Sequence, residues 1–218
     1  MRIFLVRHGE SISNIDHSVH KGFADHAIPL SDKGVIQAIE AGKVICDYLD
    51  SSLEFADPCC RLWCSPYKRT RQTADGIMKS CGEFIIDRKE HVLLCEQQFG
   101  LFDGLSREER ASLYPNEYAF YSKCKGFEGK FWARMPLGES RFDVATRVHQ
   151  AFGTFHRDHD KHGVENIIVV CHGVTLRAFV MMWCHLSPEW FDAEPNPKNG
   201  AVRLIWDSVD QGYLTDGS

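Results

Sequence analysis

Four short stretches hold the side chains able to do chemistry. Arg7, His8 and Gly9 follow the apolar run Ile3-Phe4-Leu5-Val6. Arg69 lies in CSPYKRTRQTA, Glu96 follows VLLC, and His172 and Gly173 follow NIIVVC. Two permanently charged guanidinium forks match the equatorial oxygens of a phosphoryl group. A neutral imidazole is a competent nucleophile, and nearby cations disfavour its protonation, lowering its pKa from about 6.5. A second imidazole adds a contact to the transferring oxygens. A carboxylate can protonate a departing alcohol and later deprotonate water. Phosphoryl transfer depends mostly on positioning and charge stabilisation, so His8, Glu96, His172, Arg7 and Arg69 form the candidate catalytic set. No metal or cofactor is expected, because protein cations do the neutralising.

Such a set works only if the fold gathers it. Apolar, β-branched runs at 3–6, 62–64, 84–86, 167–171 and 202–206 predict strands, with helical patterns between them. In LSDKGVIQAIEAGKVICDYL, Val35, Ala38, Gly42, Ile45 and Leu49 fall three and four apart, one helix face with Ser31 as its cap. Ser65 is expected to cap the next helix, with Pro66 at its first position. Residues 139–157 and 174–185 predict two more. The alternation implies an α/β fold: a doubly wound, mostly parallel sheet with helices on both faces and right-handed crossovers. Open sheets of this kind bind ligands beyond the carboxyl ends of their strands. Each candidate follows a strand exit, if the third strand runs to near Leu94. Residues 105–136 break the alternation and are helical, aromatic and basic, so they read as a lid insert in a single domain spanning 1–218.

Bulk properties narrow the class. A net charge of -5 gives no global basic field to recruit nucleic acid, so any anion site must be local. No segment has the apolar length of a membrane span, and MRIFLV is too short for a secretory leader. The nine cysteines read as small hydrophobes in a reduced, cytoplasmic protein. The expected partner is a small phosphate monoester, with no nucleic acid and no membrane. Oligomeric state is not legible, a homodimer being one option.

RHGES followed by Asn14, then PLSDKG, SPYKRTRQTA, EQQFGLFDG, PLGES and HGVTLR, resembles the histidine phosphatase superfamily of phosphoglycerate-mutase-like proteins. A bare RHG is weak evidence; six ordered motifs are strong. The resemblance implies a phosphohistidine on His8, proton transfer by Glu96, and a phosphate pocket of Arg7, Arg69 and His172, with Asn14 nearby and Gly173 in the substrate-binding set. Cofactor-dependent mutases of this family carry a longer insert with an adjacent arginine pair, whereas Arg107, Arg110 and Arg134 here are isolated. FWARMPLGES and EQQFGLFDG are closer to phosphatase-type members. The expected function is therefore a metal-independent phosphomonoesterase acting on small substrates. The alternatives are a phosphoglycerate-type mutase and a non-catalytic phosphate-binding module. Phe102-Asp103 replaces the family's commoner Trp–Glu, which bears on pocket shape and not on the chemistry.

Other features compete for attention. Glu90, Asp103 and Glu139 rival Glu96 as the acid. Arg71, two positions from Arg69, points elsewhere on its helix. Cys171 to Arg177 has the spacing of a cysteine phosphatase loop. However, Val174 stands where that cradle wants glycine, and Ala178 stands where a hydroxyl residue usually follows the arginine. HRDHDKH, with His156, Asp158, His159 and His162, reads as a solvated helix end rather than a metal site. Cys59, Cys60 and Cys64 lack a second ligand pair. The insert aromatics Tyr114, Tyr118, Phe120, Tyr121, Phe127, Phe131 and Trp132 are expected to be mostly packing. One or two of them are expected at the pocket mouth with Lys125, Lys130 or Arg134.

Overall fold

The computed structural model describes residues 1–51 and 59–217. Its sheet has six strands: β1 (Arg2–Arg7), β2 (Cys60–Cys64), β3 (Ile85–Glu90), β4 (Asn166–Cys171), β5 (Val202–Trp206) and β6 (Val209–Thr215). Their order is β3-β2-β4-β1-β5-β6, with β1, β2, β3 and β4 parallel and β5 and β6 antiparallel. The α/β architecture with a mostly parallel sheet agrees with expectation.

The run Ile3-Phe4-Leu5-Val6 is fully buried because successive side chains leave a strand on opposite faces and both faces are covered. Ile3 and Leu5 enter one core with Val148, Phe152, Phe155 and Phe179. Phe4 and Val6 enter the other with Ala41, Ile45 and Ile77. The helices α1 (Ile12–Ile15), α2 (Asp32–Ser51) and α3 (Lys68–Cys81) come first along the chain. The insert forms α4 (Arg107–Leu113) and α5 (Pro115–Glu128), followed by α6 (Arg141–His162), α7 (Gly173–Trp183) and α8 (Pro188–Ala193). Thus α2 and α3 cover one face, and α6 and α7 the other.

Several local expectations need correction. Ser65 does not cap α3, which starts at Lys68 after Tyr67; the Ser65 hydroxyl bonds a histidine instead. Strand β3 ends at Glu90, not near Leu94, which lies in a short 3-10 turn at Val92–Leu94. Strand β6 was not foreseen. Its polar, glycine-containing sequence hides a hairpin turn whose two central residues, Asp207 and Ser208, both have left-handed backbone (φ 48° and 64°).

Helix α6 runs five residues past its expected end and stops at Gly163, which has the left-handed conformation of a helix C-terminus (φ 66°). HRDHDKH is therefore not simply a solvated end. Asp158 is buried, accepting from Arg61 Nη1 at 2.6 Å and from Trp63 Nε1 at 2.8 Å, while the His156 ring stacks on Trp183. No cluster of metal-ligating side chains occurs among the described residues. Most of the insert aromatics pack: Phe131 is buried, Tyr118 and Tyr121 lie edge-on to Phe102, and Trp132 contacts Phe131 and Phe142, whereas Phe120 and Phe127 are 68% and 91% exposed. No described helix is long and apolar enough to cross a membrane.

Candidate active site

The chain leaves β1 through Gly9, which packs backbone-to-backbone on Gly34 of α2. A Cβ on Gly9 would sit 2.2 Å from the Gly34 carbonyl oxygen, and one on Gly34 would sit 2.0 Å from the Glu10 carbonyl oxygen. Only two glycines permit this approach, which holds the β1 exit against the start of α2. Ser31 caps that helix through Gly34 N–H and also donates to Glu10. The Gly9 N–H donates to Thr73 Oγ1 of α3, so the backbone beside His8 is fixed from two helices.

His8 is buried. Its Nδ1 lies 2.7 Å from the Gly9 carbonyl oxygen. A carbonyl only accepts, so Nδ1 carries the proton and Nε2 keeps its lone pair. Burial, then the charges of Arg69 and Arg7, hold the imidazole well below the usual histidine pKa. His172 is edge-on to His8, with ring centroids 5.2 Å apart, and burial followed by Arg69 holds it low as well. Its Nε2 lies 2.9 Å from Ser65 Oγ, while its buried Nδ1 has no hydrogen-bond partner among the described residues. If Ser65 donates, Nδ1 bears the remaining proton and becomes a neutral donor.

Arg69 is buried and lies over the Tyr67 ring at 4.9 Å. Its Nη1 and Nη2 donate to the Asp25 carboxylate at 2.9 and 3.2 Å, and Nη1 also donates to the Asp25 carbonyl at 2.7 Å. Arg7 donates from Nη1 to the Pro197 carbonyl, and its buried Nε has no hydrogen-bond partner among the described residues. Burial lowers the Arg7 pKa, opposed by the nearby Glu96 charge.

These groups meet in a cleft of about 660 Å³ whose lining includes Arg7, His8, Asn14, Asp25, Arg69, Glu96 and Asp103 together with residues 104–107, 109 and 110. Two candidate residues stand outside the lining. His172 is fully buried behind His8, and Gly173 is packed against the Asn196 side chain, 2.2 Å from where a Cβ would be. Asn14 does line the cleft, and its Oδ1 accepts from Ser11 N–H and from Asn199. Glu96 is held by Gln97 N–H and Thr175 Oγ1, at 3.0 and 3.4 Å.

The rival carboxylates sort themselves by partner. Glu90 is paired bidentately with Arg71 on the surface, and Glu139 is held by Arg147 and Gln98 N–H. Asp103 alone of the three lines the same cleft as Glu96. Cys171 is fully buried, and burial pushes its thiol upward, away from a reactive thiolate.

Asp25, Ser65, Thr73, Thr175 and Asn199 were missed as site residues. Ser65 had a usable signal, since it directly follows β2 at the same sheet edge. Asp25 had none, because a carboxylate in a long irregular segment does not announce its partner.

The family described as Histidine phosphatase superfamily (branch 1) matches residues 3–211. Two phosphoglycerate mutase-like proteins of Arabidopsis thaliana are 34% and 35% identical over 94% of this chain, which spans 64% and 73% of their lengths. A broad-range acid phosphatase of Saccharomyces cerevisiae is 24% identical over 93% of the chain and 84% of its own length. Among solved structures, an alpha-ribazole phosphatase from Shigella flexneri superposes with a TM-score of 0.71 at 18% identity, covering 99% of this chain and 97% of that one. A mycobacterial glucosyl-3-phosphoglycerate phosphatase with bound VO3 gives 0.67 at 21% identity, covering 94% and 92%. At these identities the structural likeness establishes the fold.

Proposed function

The chain belongs to the histidine phosphatase superfamily, and from that premise we propose that it is an enzyme, a metal-independent phosphomonoesterase that works through a phosphohistidine on His8. The observation that carries this reading is the bond from His8 Nδ1 to the Gly9 carbonyl. It leaves Nε2 unprotonated on a residue that lines the same cleft as two guanidinium groups.

The phosphoryl group of the substrate sits between Arg7 and Arg69. His8 Nε2 approaches phosphorus in line, and the bond to the leaving oxygen breaks as the N–P bond forms. Glu96, protonated for this step, delivers its proton to that oxygen. Its ionised form then takes a proton from water, whose oxygen attacks phosphorus and releases His8 and inorganic phosphate. The Arg7 Nε–H, buried without a partner among the described residues, is a donor to the phosphoryl oxygens, and the His172 Nδ1 proton, present when Ser65 donates to Nε2, joins it once bound substrate draws the ring toward the cleft. Asn14 lies beside the same oxygens at the cleft wall, and residues 105–136 act as a lid. Charge on the phosphoryl group is balanced by guanidinium, so a divalent ion is not needed. The acid phosphatase relative and the phosphatase structures support hydrolysis over transfer between substrate hydroxyls.

Replacing His8 with Ala should abolish hydrolysis of p-nitrophenyl phosphate, in chelator, while the fold persists by circular dichroism. Label trapped on the wild-type enzyme should survive alkali and be lost in acid. Retained turnover in His8→Ala, or an acid-stable label, would overturn the assignment.

A further inference from the structure

Glu96 is not held by a strand. β3 ends at Glu90, and the chain reaches Glu96 through the 3-10 turn Val92–Leu94 and an irregular stretch. A proton donor must nevertheless stay within hydrogen-bond reach of the leaving oxygen, and a misplacement of about 1 Å can cost about 10²-fold in rate. Something other than the sheet has to fix it.

One side chain gathers that stretch. Arg147, on α6, donates from Nη1 to the carbonyls of Leu93 and Cys95, at 2.7 and 2.8 Å, and from Nη2 to the carbonyl of Glu96, at 3.1 Å. Its Nε and Nη2 also donate to the two carboxylate oxygens of Glu139, at 2.8 and 3.0 Å. The planar fork thus joins three carbonyls of the stretch to one carboxylate, a geometry that a lysine ammonium does not reproduce. Glu139 closes the other side. Its Oε2 accepts from Gln98 N–H, its own N–H donates to the Gln98 carbonyl, and its carbonyl accepts from Gln97 Nε2. The backbone on both sides of Glu96 is therefore tied to a single ion pair, and neither member of that pair lines the His8 cleft.

We propose that Arg147, paired with Glu139, is a positioning residue for proton transfer: it holds Glu96 where its proton meets the leaving oxygen and touches no substrate itself. This rests on the reading of Glu96 as the acid, and it gives the carboxylate of the PLGES stretch a role as counter-ion instead of as a rival acid. The consequence depends on the leaving group. As the P–O bond breaks, the electron pair goes to the departing oxygen, which takes the Glu96 proton. p-Nitrophenolate departs with little need of that proton, whereas the more basic phenolate needs it, so a misplaced acid penalises phenyl phosphate selectively. General loosening of the fold would penalise both esters alike.

The test uses the full chain and the ratio of kcat/KM for p-nitrophenyl phosphate to that for phenyl phosphate. Glu96→Gln examines the parent reading by itself: the loss should be about 10²-fold or more for phenyl phosphate and much smaller for p-nitrophenyl phosphate. Equal losses there would sink the assignment of Glu96 as the acid, whatever Arg147 does. In Arg147→Met the ratio should shift the same way by about tenfold or more, and Arg147→Lys should restore little of it. Glu139→Gln, which keeps the side-chain shape, should shift the ratio in the same direction by a few-fold, and it decides the matter if Arg147→Met does not fold by circular dichroism. In Glu96→Gln/Arg147→Met the ratio should equal that of Glu96→Gln alone, because no proton is left to position. With Glu96→Gln behaving as expected, the proposal is overturned by equal losses on both esters in the folded Arg147 or Glu139 variants, by an unchanged ratio in them, or by additive effects in the double variant.

Discussion

Asp25 and Arg69 form a buried-to-cleft ion pair, with both terminal guanidinium nitrogens on the carboxylate at 2.9 and 3.2 Å. The same arginine is proposed to hold the phosphoryl group, so a carboxylate of the chain and the incoming anion share one cation. Asp25→Asn keeps the side-chain shape, and residue 25 keeps its backbone bond to Nη1, while the negative charge goes. Inorganic phosphate should then inhibit several-fold more tightly, in line with ~1 kcal/mol for a partly exposed pair. Competitive inhibition constants at fixed ionic strength check this, and an unchanged or weaker constant would show that Asp25 chiefly orients Arg69.

The pH profile follows from the lowered His8 pKa. The nucleophile is the unprotonated ring, so activity persists as pH falls through the ordinary histidine range and drops only when pH reaches the depressed value. The acid limb of kcat/KM for a substrate of fixed ionisation should lie below about 6.5. Removing a neighbouring cation relieves part of the depression. Arg69→Met should therefore move the acid limb upward while lowering kcat/KM by about 10²–10³. A limb that stays in place would mean that burial alone sets the His8 pKa.

Ser65→Ala tests how His172 is held. The hydroxyl is the ring's one hydrogen-bond partner among the described residues, at Nε2, 2.9 Å away. Its loss frees the tautomer and leaves a buried nitrogen unsatisfied, at ~1–2 kcal/mol of stability. We expect kcat to fall roughly tenfold with KM little changed. Ser65→Thr should recover most of that loss, which a purely structural role would not require. Steady-state kinetics with a denaturant titration separates the two effects.

Asp158→Asn addresses stability away from the cleft. Asp158 and Arg61 are both buried, and the carboxylate also accepts from Trp63. Removing one partner of a buried pair leaves the other uncompensated, so urea unfolding should show a loss of ~3 kcal/mol. Specific activity per folded molecule should be unaltered. A loss under 1 kcal/mol would mean that Asp87, also bonded to Arg61 at 2.6 Å, is sufficient.

Part of the candidate site could be read from residue types because Arg7 ends β1 and His8 and His172 directly follow β1 and β4, whereas Arg69 and Glu96 lie farther along, in α3 and past a 3-10 turn. The side chains of β1 and β4 are apolar almost throughout, which marks them as doubly covered and central. Once they pair in parallel, His8 and His172 must leave the sheet at one edge. The reading was weaker where local and tertiary demands diverge. Ser65 looks like a helix cap, yet its hydroxyl goes to a histidine 107 positions away. HRDHDKH looks solvated, yet Asp158 is drawn inward by Arg61.

What the order of residues determined by itself was the strand-and-helix alternation and the placing of Arg7, His8, Arg69 and His172 at or beyond strand ends. Periodicity and short-range backbone rules suffice for those. What only the tertiary structure decided was which groups meet: Asp25 on Arg69, Ser65 on His172, and Arg147 on the carbonyls around Glu96. Those contacts join residues far apart in the chain, and their partners are selected by shape and charge after the sheet has closed.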